Sequence, residues 1–128
     1  MKPEVQKHLA RAEQLLRAAE SLIRAGFPAD SVSRSYYAMF HTATAVLLDL
    51  GIQRSSHHAI WAAFGQFVVA PGLMATHYHR AGMDMARART DSDYLPEPED
   101  TFENAQEDLL MAREFVTACR NFLEGREA

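Results

Sequence analysis

Apolar residues recur at alternating steps of three and four along most of this 128-residue chain, and no stretch shows the two-residue alternation of a strand. A chain with that pattern buries itself as helices. Residues 4 to 25 place Val5, Leu9, Ala12, Leu16, Ala19 and Ile23 on one stripe, with Glu13–Arg17 and Glu20–Arg24 as outward pairs one turn apart. Gly26 and Pro28 should end this helix, the first by tolerating positive φ and the second by being unable to continue the ladder.

A second helix is expected from Asp30, as N-cap, to Leu50, with Gly51 as its breaker. Ser55 or Ser56 can cap a third, whose stripe is Ile60, Phe64 and Phe67 and which Pro71-Gly72 stops. Met74, Tyr78, Ala81, Met85 and Ala88 carry a fourth periodic stretch to Thr90, with Gly82 as an internal weakness of about 1 kcal/mol relative to alanine. "TDSDYLPEPED" reads as a loop, and Asp100 with Glu103 as the capping box of a last helix running through Phe102, Ala105, Leu109, Ala112, Val116, Cys119 and Leu123. The expected architecture is all-α, an antiparallel up-and-down bundle of four to five helices in one domain over residues 1–128.

The second helix poses the functional question. Val32, Tyr36, Phe40, Ala43, Leu47 and Leu50 form its core stripe, yet the opposite side holds Ala38, Ala45 and Leu48, with Tyr37 at the margin, where a surface helix would carry lysine and glutamate. That second face should meet another helix or a second copy of the chain, with Arg34 and His41 in the seam. Their Cα atoms would lie about 10 Å apart and nearly in register, so one phosphate could engage both. The alternative is that Arg34 pairs with a carboxylate and His41 bonds a backbone carbonyl.

Elsewhere, Arg87, Arg89, Asp93 and Tyr94 span a helix end and the loop after it, where polar groups can converge on a ligand. Their alternative role is to complement the helix C-terminus. His57-His58 and His77-x-His79 lack ligand partners at zinc spacing and read as exposed or capping residues, so no metal site is expected. Lone Cys119 reads as a small core residue and rules out a disulfide framework, which fits a cytoplasmic setting. No apolar run approaches the ~20 residues of a membrane span. The formal net charge of −4 argues against an extended, sequence-independent footprint on nucleic acid but leaves room for a local basic pocket.

The segments "SRSYYAMFHTATAVLLDLG", "SHHAIWAAFGQF", "RARTDSDY" and "ENAQEDLLMAREFV", in this order, resemble the HEPN domain family over nearly the whole chain. R-x-Y-Y-A-x-F from Arg34 together with R-x-x-x-D-Y from Arg89 carries the resemblance. It implies a helical bundle that dimerises and is encoded beside a small nucleotidyltransferase, its partner in a toxin–antitoxin pair. In active members it implies a metal-independent ribonuclease, with an arginine and a histidine four to six residues apart meeting across the dimer cleft. The histidine would move a proton at the ribose hydroxyl or leaving oxygen, and the arginine would stabilise charge on the phosphate.

In active members that pair commonly lies in the later helical region, where this chain has Asp93 and Tyr94 after Arg89; Arg34 and His41 meet the spacing on the second helix. The resemblance therefore makes Arg34 and His41 the candidate catalytic pair, and Arg34, Tyr37, Arg87, Arg89, Asp93 and Tyr94 the candidate contacts to nucleotide or RNA, with no cofactor. The other reading it allows is a non-catalytic nucleotide- or partner-binding module acting with the nucleotidyltransferase.

Overall fold

The computed structural model describes residues 1–127, with residues 91 and 92 described by their backbone alone. Five α-helices follow one another: α1 (Pro3–Ala25), α2 (Pro28–Asp49), α3 (His57–Phe64), α4 (Thr76–Tyr94) and α5 (Phe102–Glu127), with one π-helical turn, Gly65–Val69, extending α3. Among the described residues there is no strand. The fold is the expected all-α bundle.

The helix ends follow local chemistry, with three departures from expectation. Gly26 takes φ 89° and closes α1, while the Phe27 N–H donates to the Leu22 carbonyl. Pro28 opens α2 rather than merely ending α1. Its missing N–H falls where a helix has no acceptor for it and its ring presets φ, so Asp30 lies inside the first turn instead of capping it. Ser56 caps α3 by accepting the Ala59 N–H at 3.0 Å. Helix α4 continues past Thr90 to Tyr94, its last turn closed by the Arg89–Asp93 pair, so the loop is shorter than the proline content suggests. Thr101, not Asp100, caps α5: its hydroxyl accepts the Asn104 N–H at 3.1 Å, and Asn104 reaches back to the Thr101 N–H.

Helix α2 runs antiparallel to α1 and parallel to α5, and α4 runs against α2 and α5. The C-terminal part of α1 and the N-terminal parts of α2 and α5 meet through Ala19, Ile23, Val32, Ala105 and Leu109, and the far end of α5 reaches the end of α2 through Arg126 and Asp49, 2.6 Å apart. Leu15 rather than Leu16 takes the central core position on α1, and Phe102 at the start of α5 is half exposed. Glu13 bridges to Arg120 of α5 instead of to Arg17, while Glu20 holds both Arg24 and Arg113.

The middle of the bundle is α2. Ser31, Val32, Tyr36, Ala38, Met39, Thr42, Ala43, Ala45, Val46 and Leu47 are all buried, which covers more than half of its circumference; Tyr37, His41, Thr44 and Leu48 on the remaining side are partly buried and Arg34 is exposed. Part of the second face is covered from within the chain, Ala38 packing with Ala12 and Leu15 of α1 and Val116 of α5. Small residues there let the backbones approach closely.

Candidate functional site

Two polar centres lie along α2. The first is His41. It is half-buried, and its Nδ1 lies 2.9 Å from Nδ1 of His8 on α1, so one imidazole donates and the other accepts. Burial, followed by the charges of His8, Arg11 and His57, pushes His41 down to about 4, so it is neutral at pH 7. Burial lowers His8 as well, against the pull of Glu4. Arg34, two turns earlier on the helix, is exposed and makes no hydrogen bond or ion pair with any described residue. No contact joins it to His41.

The second centre assembles residues that are far apart in sequence. Arg89 of α4 places its guanidinium 5.5 Å from the ring centroids of both Tyr36 and Tyr37 on α2 and 3.3 Å from Asp93. Burial opposes its charge, but the Asp93 bond and the two tyrosines raise its pKa, so it stays cationic. Its Nε is buried with no hydrogen-bond partner among the described residues, at a cost of about 1–3 kcal/mol.

Tyr36 is fully buried and has two partners: its hydroxyl accepts from the Trp61 indole N–H at 3.2 Å and lies 2.7 Å from Nδ1 of His57. Along that line one proton is shared: either the Tyr36 hydroxyl donates to Nδ1, or Nδ1–H donates to the hydroxyl oxygen. The His57 ring stacks on Phe40 at 4.0 Å and 10°, and burial followed by the Arg89 charge lowers its pKa. His57 thus belongs to the site rather than to a solvated cap. The one local signal was its place beside the Ser56 cap; its partner lies 21 positions away on another helix.

These groups sit at one end of a pocket of about 540 Å³ between α3 and α4. Trp61, Ala62, Met83 and Ala86 form its middle, and His79, whose Nε2–H donates to the Trp61 carbonyl at 2.8 Å, lines it farther along. Arg87 lines the pocket from an exposed position and pairs with Asp84 at 2.5 Å. Of the residues the sequence singled out, the structure brings Tyr37 and Asp93 each into contact with Arg89, sets Arg87 on the same pocket, and leaves Tyr94 exposed at the end of α4. Arg34 and His41 stand apart from that pocket. Among the described residues no three His, Cys, Asp or Glu side chains converge as a metal ion would require, and no helix is long and apolar enough to cross a membrane.

The sequence matches the HEPN domain family over residues 5–122. It is 44% identical over 94 residues to a UPF0332 protein of Gloeobacter violaceus, covering 73% of this chain and 75% of that protein. A protein of Methanocaldococcus jannaschii named "Putative toxin" is 30% identical over 124 residues, 97% of this chain and 92% of its own. A second protein of that organism with the same designation is 26% identical over 122 residues, covering 95% of this chain and 83% of its own.

Proposed function

The chain belongs to the HEPN domain family, and from that premise we propose that it is the HEPN-type component of a toxin–antitoxin-like system whose Arg89 pocket binds the phosphate of a nucleotide or RNA. One observation carries the reading: at that end of the pocket Arg89 is cationic and keeps a buried Nε–H with no hydrogen-bond partner among the described residues. A cationic donor left open beside aromatic rings suits an oxyanion and repels a cation. The toxin designation of two relatives supports the biological role. A second copy of the chain and a small nucleotidyltransferase are the partners that go with it.

The test is calorimetric titration with inorganic phosphate and with a short single-stranded RNA, chelator present throughout. Arg89→Gln should weaken both by at least about tenfold, a loss of ~1.4 kcal/mol. Its folding stability should change by less than about 1 kcal/mol, because removing the orphaned Nε–H offsets the loss of attraction between the guanidinium and the two tyrosine rings. Equal binding by wild type and Arg89→Gln, or none by the wild type, removes the reading.

A second reading, metal-independent RNA cleavage through Arg34 and His41, is favoured by the lack of any ion pair for the exposed Arg34 among the described residues. Cleavage of total RNA that is lost in both Arg34→Ala and His41→Ala would establish it. Intact RNA after incubation with concentrated wild-type protein would end it.

A further inference from the structure

The N-terminal part of α5 leaves apolar surface uncovered. Phe102 and Leu110, eight residues apart on that helix, are exposed to 50% and 59%. Both line a groove of about 530 Å³ between α5 and the last two turns of α1, whose floor is made by the buried Ile23 and Leu109. The groove shares no residue with the pocket between α3 and α4.

The charges along its two edges are unequally satisfied. Glu20 of α1 holds both Arg24 and Arg113, at 2.7 and 2.8 Å, so the two arginines that line the groove are engaged within the fold. On the solvent side of α5, Glu103, Glu107 and Leu110 follow one another at steps of four and three, which sets them on one line of the helix. Both glutamates are exposed, and neither makes an ion pair with any described residue. Burial, followed by the charges of Asp100 and Glu107, raises Asp108 on the same helix to about 6, as a local excess of negative charge does.

We propose that this groove docks an amphipathic helix of a different protein, its apolar stripe laid over Phe102, Leu109 and Leu110 and its basic flank turned to Glu103 and Glu107. The proposal stands apart from the phosphate reading. A helix with leucine-like side chains at i, i+3 or i+4 and i+7 covers the exposed apolar surface, and lysines or arginines along one flank supply the charge that the two glutamates lack. Such a flank fixes which way round the helix lies. Among the described residues no other helix of this chain exposes two large apolar side chains within eight residues of each other, so a second copy has no further stripe of that kind to bring.

The test uses the full chain and a labelled peptide about 15 residues long, with leucines at i, i+3, i+4 and i+7 and lysines along one flank, read by fluorescence anisotropy. A counterpart peptide carries glutamates in place of the lysines. The lysine peptide should bind at least about tenfold more tightly than its counterpart, and Leu110→Asp should abolish that binding. Combining Glu103→Lys with Glu107→Lys should reverse the preference, so that the glutamate peptide binds the better. All three positions are exposed, and the variants should keep the helix content of the wild type. Binding of neither peptide, equal binding of the two, or binding that survives Leu110→Asp overturns the proposal. So does a wild-type dimer that Leu110→Asp dissociates in sedimentation, because the groove then belongs to a second copy of the chain.

Discussion

The His8–His41 contact is a bond that exists only while at least one of the two nitrogens is unprotonated, which makes it sensitive to acid. His41 has its pKa depressed to about 4 in the fold from an ordinary 6.5. Below pH 6.5 the unfolded chain takes up a proton that the folded chain refuses until about pH 4, so this group's stabilisation is present above pH 6.5 and lost as pH falls through about 4. Discounted for the partly exposed ring, the effect is about 1–2 kcal/mol. Asp108 works the other way. Burial, followed by Asp100 and Glu107, raises it to about 6, so its contribution is present below pH 3.8 and lost as pH rises through about 6. Urea unfolding of wild type and His41→Gln at pH 7.5 and 4.5 separates the two, because Asp108 is common to both proteins. The wild type should lose about 1–2 kcal/mol more than the variant between those pH values, and parallel losses would refute the assignment. Spacing on α2 did place Arg34 and His41 on one side of the helix, but which imidazole would meet His41 depended on the packing of α1.

At the scale of elements, the periodic stripes were legible and the junctions were not. Each helix was expected because its apolar residues fall on one line, whereas the start of α2 at Pro28, the extra turn of α4 and the Thr101 cap depend on which of several adequate terminators the tertiary fold uses. The site was half legible for a similar reason. Both Arg89 and the tyrosine pair stood out in the sequence, but their meeting, and the arrival of His57 from α3, required the angle between helices. Gly82 shows the limit most clearly. Propensity alone makes it a weak point that alanine would improve by about 1 kcal/mol. In the fold, that methyl group would collide with Trp61. Gly82→Ala should therefore destabilise by a net ~1–2 kcal/mol, overpacking outweighing propensity, and should shift the Trp61 emission as the ring leaves Tyr36. A raised melting temperature with unchanged emission would show that the ring has room to move.

Taken whole, the molecule is wrapped around α2, and its protection against solvent should be graded accordingly. The α2 amides between Val32 and Leu47, on the helix that carries the most buried side chains, should exchange with solvent at the slowest rates in the chain. Those of the last turn of α4, beyond Thr90 where the exposed Tyr94 ends the helix, should exchange fastest among the helices. Mass spectrometry of deuterated peptides checks the order, and an α2 that exchanges as fast as α4 would contradict a core centred there. This hierarchy also fixes an order in time. The side chains that close the core from below, Leu109, Ala112, Phe115, Val116, Cys119 and Leu123, all belong to α5, which leaves the ribosome after every element of the pocket. A nascent chain already displays Tyr36, His57 and Arg89 while Phe115, which packs against Trp61 of the pocket wall, is still being synthesised. The pocket is therefore complete only once α5 has emerged, and a chain stalled before α5 presents an open apolar trough to chaperones instead of a formed pocket.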